Sequence, residues 1–220
     1  MPPAHITPAP RIGFFGGTFD PPHLGHLAVA RAAADRFSLD EVLLAPVAHQ
    51  PLKTAASSAS FADRLAMASL MAEADARFSV SDVDAEQQDG RPNYTVDTLA
   101  RLRGRVTEQT RLFVIVGADS LRDLPRWHDP PRLLALAELI AVSRPGEDLS
   151  AALSKLRAAF GEELFAEMEP RIHCIEGVEQ PVSATTLRHD LANNDAAASE
   201  WLLPGVLQYI QAHHLYGNEA

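Results

Sequence analysis

Apolar residues fall in two patterns along this chain. Short runs at Arg11–Phe15, Glu41–Val47, Arg111–Val116, Leu139–Ser143 and Arg171–Ile175, with an alternating stretch at Phe78–Val83, predict strands. Between them, helical spacing covers His23–Phe37, where Leu24, Leu27, Ala28 and Arg31 share one side, then Phe61–Ala74, Tyr94–Arg103, Leu133–Ala137 and Leu149–Phe160. Thr185–Leu191 and Pro204–His213 close the chain as helices. Alternation of this kind predicts an α/β fold, a Rossmann-like doubly wound parallel sheet covered by helices on both faces. A small helical cap on the same domain is expected from about Val182. Ligands of such sheets lie beyond the carboxyl ends of the strands, where strand order reverses.

Two stretches break the alternation. Residues 1–10, rich in Pro and Ala, read as a flexible leader, leaving 11–220 as a single domain. Ala48–Ser60 is polar and small, with Pro51 and Ser57-Ser58, and reads as a mobile loop.

Composition narrows the function classes. A net charge of -10 argues against a general nucleic-acid binder, which needs a basic face. A small anionic substrate stays compatible, because helix N-termini and a few basic side chains hold phosphates in acidic proteins. Cys174 is the one cysteine, so no internal disulfide forms. It lies in the apolar run Ile172–Ile175 and is expected to be a buried strand residue. The N-terminus lacks the charged-then-apolar pattern of a signal peptide, and no apolar run reaches membrane-span length. A soluble, cytoplasmic protein without membrane partners is expected, and a homodimer is left open.

The chemistry concentrates in Gly16-Gly17-Thr18-Phe19-Asp20-Pro21-Pro22-His23-Leu24-Gly25-His26, which follows a predicted strand and opens a helix. Glycines let the backbone approach a phosphate without a Cβ in the way. The helix start offers N–H groups and the positive end of its dipole. His23 and His26, three apart, share a helix face and can donate to phosphoryl oxygens as charge builds. The Gly-Gly turn is alternatively plain architecture, and the histidines a cap or an incomplete metal pair. The string is neither a Walker A loop nor the G-x-G-x-x-G fingerprint.

This string resembles the H-x-G-H signature of the nucleotidyltransferase superfamily. Its fuller form, Gly-Gly-Thr-Phe-Asp-Pro-x-His-x-Gly-His, resembles the nicotinate-nucleotide adenylyltransferase family of bacterial NAD synthesis, a relative of the pantetheine-phosphate adenylyltransferases. The superfamily's late motif, Ile-Ser-x-x-x-x-Arg at a helix start, is similar to Val182-Ser183-Ala184-Thr185-Thr186-Leu187-Arg188. Asn93-Tyr94-Thr95-Val96-Asp97-Thr98-Leu99 resembles the family's Ser-Tyr-Thr-x-x-Thr-Leu, and Gly117-Ala118-Asp119-Ser120-Leu121 its Gly-x-Asp-Ser-Leu turn. Two departures stand out: Leu52 where histidine is common in Pro-Pro-His-Lys, and Ala184 at a position often serine.

The resemblance implies a nucleotidyltransferase fold and transfer of the adenylyl group of ATP to nicotinate mononucleotide, releasing pyrophosphate. It assigns catalysis to His23, His26, Lys53 and Arg188. ATP would meet Gly16, Gly17, Thr18, Phe19, His26, Gly117, Asp119, Arg144, Ser183, Thr185 and Arg188. The acceptor would meet Thr18, Lys53, Tyr94, Thr95 and Trp127, with Trp127 stacking on the pyridine. Magnesium would be carried by the ATP phosphates, with no protein metal cage. Plainer readings remain: Ser183 as a helix cap, Trp127 as core, Arg144 as a solvent-facing arginine before a turn. The alternatives in function are the same chemistry on nicotinamide mononucleotide or phosphopantetheine, a non-catalytic nucleotide sensor, and a flavodoxin-like electron carrier.

Overall fold

Strand β1 (Arg11–Gly17) carries Phe14 and Phe15 side by side, and successive side chains of a strand point to opposite faces. Phe14 therefore enters one apolar layer and Phe15 the other. A strand buried on both faces needs an unbroken apolar run, which is the pattern of Arg11–Phe15. The computed structural model describes residues 9–52, 57–87, 89–179, 182–193 and 195–217. The expected leader falls outside them except for Ala9 and Pro10.

Among the described residues, β1 is joined by β2 (Glu41–Pro46), β3 (Phe78–Val80), β4 (Arg111–Gly117), β5 (Glu138–Val142) and β6 (Ile172–Ile175) in one sheet of order β3-β2-β1-β4-β5-β6. Every pairing is parallel. The chain leaves β1 in one direction for β2 and β3, and returns to its other side for β4, so strand order reverses between β1 and β4. Gly16-Gly17 and Gly117 stand at the carboxyl ends there.

Helices cover both faces, as the alternation predicts. On one face α1 (Leu24–Phe37) buries Leu27, Val29, Ala30, Ala33 and Ala34 against Val42, Leu44, Phe113, Ile115, Ile140 and Val142. On the other, α3 (Thr95–Arg103), α4 (Ala118–Arg122), α5 (Pro130–Leu136), α6 (Leu149–Phe160) and α7 (Glu162–Met168) pack on Phe14, Leu112, Val114, Val116, Leu139 and Ala141. A third apolar cluster joins α2 (Phe61–Ala72) to α8 (Ala184–Ala192) and α9 (Pro204–Ala212) through Met67, Leu187, Leu202, Val206 and Ile210. That cluster is the expected helical cap. No helix among the described residues is long and apolar enough to cross a membrane.

Several expectations shift. β1 continues through Gly16-Gly17 instead of turning, because both residues stay in register with Ala45 and Pro46 of β2. β3 stops at Val80, since its pairing covers only Val42–Leu44. Helix α7 was not expected; it is short, and only Phe165 and Met168 mark its buried side. Cys174 is exposed, not buried. Its strand β6 is the sheet edge, so one side of it lacks a covering neighbour.

Candidate active site

Helix α1 begins at His23 with extended backbone, and the two histidines cap it reciprocally. The His26 backbone N–H donates to His23 Nδ1 at 3.3 Å, and the His23 N–H donates to His26 Nδ1 at 3.2 Å. This is a capping box built from imidazoles. It also fixes chemistry: each Nδ1 is an acceptor, so each neutral ring carries its proton on Nε2. The rings lie 3.8 Å apart between centroids. Burial, and secondarily the positive charge of Arg144, holds the His23 pKa down to about 4. His23 is thus a neutral hydrogen-bond donor at physiological pH.

Gly25 explains the spacing of the histidines. A Cβ there would stand 2.9 Å from His23 Nδ1 and 3.6 Å from the carbonyl oxygen of Val182. Its absence lets the His23 ring fold back over the helix, while the Val182 contact would be an ordinary one. Beneath the histidines lies Phe19, fully buried, with its ring 4.9 Å from His26 and 5.5 Å from Phe15. Only its backbone, at φ 49°, is left to meet a ligand.

The late motif arrives at the same place. Ser183 caps α8, its Oγ accepting from the Thr186 N–H at 3.1 Å and lying 2.9 Å from Thr186 Oγ1. Arg188 reaches back to the first motif, donating from Nη1 to the Asp20 carbonyl at 2.7 Å and from Nη2 to Thr185 Oγ1 at 3.4 Å. Thr185 itself is exposed.

Asp20, which motif reading passes over, organises the surroundings. Its buried carboxylate accepts from the N–H groups of Ser58 (2.7 Å) and Ala59 (3.1 Å) and from the Tyr216 hydroxyl (2.8 Å). Burial, then the Asp20 charge, pushes the Tyr216 pKa far up, so the phenol stays a donor. The tail after α9 is in this way tied to the first phosphate motif.

The remaining predicted residues spread along the strand ends. Gly16 and Gly17 end β1, and a Cβ on Gly16 would meet the Phe14 ring at 2.9 Å. Thr18 follows, half-buried. Gly117 precedes α4, where a Cβ would meet nothing within 4 Å, leaving open space beyond β4. Asp119 is 90% exposed and paired with Arg122. Arg144 is exposed just past β5, its backbone N–H held by Glu147 Oε2 at 3.1 Å.

Tyr94 and Thr95 open α3, and Tyr94 packs 4.5 Å from the His128 ring, a neighbour no motif signalled. Trp127 is partly buried against the same apolar cluster as Tyr94. Lys53 lies outside the described residues.

A second buried group, Asp84, is hydrogen-bonded by Thr98 of α3. The Asp84 carbonyl accepts from the Ala48 N–H at 2.9 Å, while His49 and Asn93 exchange two hydrogen bonds at 3.0 Å. Burial pushes the Asp84 carboxyl up to about 6 against the opposing effects of the Thr98 hydroxyl and Arg101.

The cytidylyltransferase-like family model matches residues 14–190. The chain is 40% identical over 205 residues to a probable nicotinate-nucleotide adenylyltransferase of Roseiflexus sp. (strain RS-1), covering 93% of this chain and 97% of that protein. It is 36% identical over 206 residues to a protein of the same description from Solibacter usitatus (strain Ellin6076), covering 94% and 99%. Its fold is similar to that of Plasmodium falciparum nicotinic acid mononucleotide adenylyltransferase complexed with NaAD, with a TM-score of 0.72, 16% identity, and coverage of 94% and 97%.

Proposed function

Since the chain belongs to the nicotinate-nucleotide adenylyltransferase family, within the cytidylyltransferase-like nucleotidyltransferases, we propose that it transfers the adenylyl group of ATP to nicotinate mononucleotide, giving nicotinate adenine dinucleotide and pyrophosphate. The observation that carries this reading is the meeting of two helix starts, α1 and α8, through Arg188 and Asp20. Two N-terminal dipoles and an arginine facing one space make a triphosphate site.

In this reaction a phosphate oxygen of the acceptor attacks the α-phosphorus, and the bond from that phosphorus to the bridging oxygen of the β-phosphate breaks. The attacking group is already an anion, so the protein need supply only position and charge stabilisation. His26 and His23, with their protons on Nε2, donate to the α-phosphate region. Arg188, oriented by Asp20 and Thr185, grips the leaving pyrophosphate with the α8 N-terminus and Ser183. Gly16, Gly17, Thr18 and Phe19 offer backbone to the phosphates. Gly117, Asp119 and Arg144 border the adenosine. Tyr94, Thr95 and Trp127 form the pyridine wall, and Lys53 and Thr18 meet the acceptor phosphate.

Magnesium fits this site as a passenger of ATP. The Asp20 carboxylate is occupied by Ser58, Ala59 and Tyr216, and that of Asp119 by Arg122. The triphosphate would therefore supply most of its ligands, and the ion would neutralise charge on the leaving group. The proposal also takes residues 11–220 as one domain and the cytoplasm as its location.

The test is pyrophosphate release with ATP and magnesium, offering nicotinate mononucleotide, nicotinamide mononucleotide and phosphopantetheine separately. Preference for the nicotinate form is expected. Preference for another acceptor would overturn the reading of Tyr94, Thr95 and Trp127 and keep the phosphate sites. ATP binding without release on any acceptor would favour a sensor.

A further inference from the structure

Helix α2 carries a charge where its apolar stripe should be. Arg64, Met67, Ala68 and Met71 repeat at helical spacing, and all four are buried. Arg64 is 2% exposed, a rare state for an arginine. Among the described residues, its guanidinium hydrogen bonds go to three backbone carbonyls from three segments. Nη1 donates to Thr18 at 2.7 Å and to Val47 at 2.8 Å, and Nε donates to Ala59 at 3.3 Å.

Those carbonyls are not equivalent. Thr18 belongs to the phosphate loop. Val47 is where the chain leaves the sheet after β2, and Ala59 is where it returns to enter α2. Arg64 thus holds both ends of the 48–58 segment to the nucleotide-binding loop. Asp20 reinforces the return leg through the Ser58 and Ala59 N–H groups, and its charge favours that of Arg64 against the opposing effect of burial.

We propose that Arg64 is a positioning residue that registers the acceptor side of the active site against the ATP side. The Thr18–Val47–Ala59 clamp is what does this, and no substrate contact by Arg64 is required. The ATP side has other supports: β1 is paired on both edges, the Val47 N–H donates to the Gly17 carbonyl at 2.9 Å, and the imidazole capping box fixes α1. The return leg at 57–59 depends on Arg64 and Asp20. The outgoing leg contacts Asn93 through His49, next to Tyr94 and Thr95. Loosening the clamp should therefore fall on the acceptor first. This rests on the adenylyl-transfer reading for the meaning of the two sides.

The experiment compares Arg64→Met and Arg64→Lys with the wild-type protein. Met keeps bulk and removes charge and donors, leaving the Thr18, Val47 and Ala59 carbonyls without this partner at some cost in stability. Lys keeps the charge but replaces the planar fork with a point. The KM for nicotinate mononucleotide is expected to rise about tenfold in Arg64→Met, the effect of losing a charge-assisted hydrogen bond. The KM for ATP should move less than about twofold, and Arg64→Lys should lie between Met and wild type. Hydrogen exchange at the Ser58 and Ala59 amides should quicken in both variants, with Phe14 and Phe15 unchanged.

Equal rises in KM for both substrates, an unchanged acceptor KM, or Ser58 and Ala59 amides as protected as in wild type would each overturn the proposal. If Arg64→Met does not fold, Arg64→Lys carries the same measurements. Absent turnover in the wild type would refute the activity instead, and the exchange readout would still report on the clamp.

Discussion

Arg188 Nη1 donates to the backbone carbonyl of Asp20 at 2.7 Å, joining residues 168 positions apart. The bond ties the late motif to the first, so the arginine is aimed before any phosphate arrives. Preorganised charge costs no reorganisation during reaction, which is where such groups gain their effect.

Replacing Arg188 with Ala should lower turnover by about 10²-fold. Arg188→Lys should recover little of it, because a point charge cannot serve the Asp20 carbonyl and a phosphate in one plane. Steady-state pyrophosphate release measures both, and near-normal turnover in Arg188→Ala would remove the residue from the mechanism.

Gly25→Ala sets helix propensity against geometry. Alanine should favour α1 by up to about 1 kcal/mol. Its Cβ would stand 2.9 Å from His23 Nδ1, forcing the ring off the His26 N–H. The expected result is turnover down by at least about tenfold without a fall in melting temperature to match. Wild-type turnover would mean that the reciprocal cap does not orient His23 for reaction.

His26→Ala removes a donor on Nε2 and the acceptor for the His23 N–H. Turnover should fall on the order of 10²–10³-fold. An enzyme unaffected by this change would not use the histidine pair at all.

His23 should stay neutral through the range in which an ordinary histidine titrates. Its folded pKa, about 4, lies below the unfolded value of 6.5, so the unfolded chain binds the proton first. The stability it contributes is complete above about pH 6.5 and is lost as pH falls towards 4, by on the order of 3 kcal/mol. In an NMR titration its ring resonances should hold steady from pH 8 to about 5.5. A midpoint near 6.5 would contradict the buried, neutral ring.

Asp84 works in the opposite sense over nearly the same window. Its folded pKa, about 6, lies above the 3.8 of an ordinary aspartate, so the folded protein binds the proton more readily. That contribution is complete below about pH 4 and is lost as pH rises through 6, again on the order of 3 kcal/mol. Asp84→Asn removes the titration. Its stability relative to wild type, from denaturant melts, should rise between pH 4 and 6 and then level off. A constant difference across that range would show that Asp84 does not titrate there.

Local pattern carried most of the architecture. Strands β1, β2, β4 and β5 announce themselves as largely apolar runs, because both faces of the sheet are covered there, and the helices between them show the spacing of a single buried side. The two phosphate motifs are legible for the same reason: a strand, a glycine pair and a helix start are neighbours in sequence. Phe19 was legible as part of the motif but not as a buried ring, since a φ of 49° turns it under His26. The edge position of β6, and with it the exposure of Cys174, depends on strand order, which periodicity does not encode.

What the sequence determined by itself is what short range decides: element type, the imidazole pair at one helix start, and the serine and arginine at another. Tertiary structure alone decided which distant groups meet. Arg64 was detectable in principle as a charge on the stripe with Met67 and Met71, yet the carbonyls it holds come from Thr18, Val47 and Ala59. Tyr216 reaches Asp20 only because α9 packs on α2 and its tail turns back. Such contacts form between groups that carry no mutual sequence signature, and the fold is what buries them in one place.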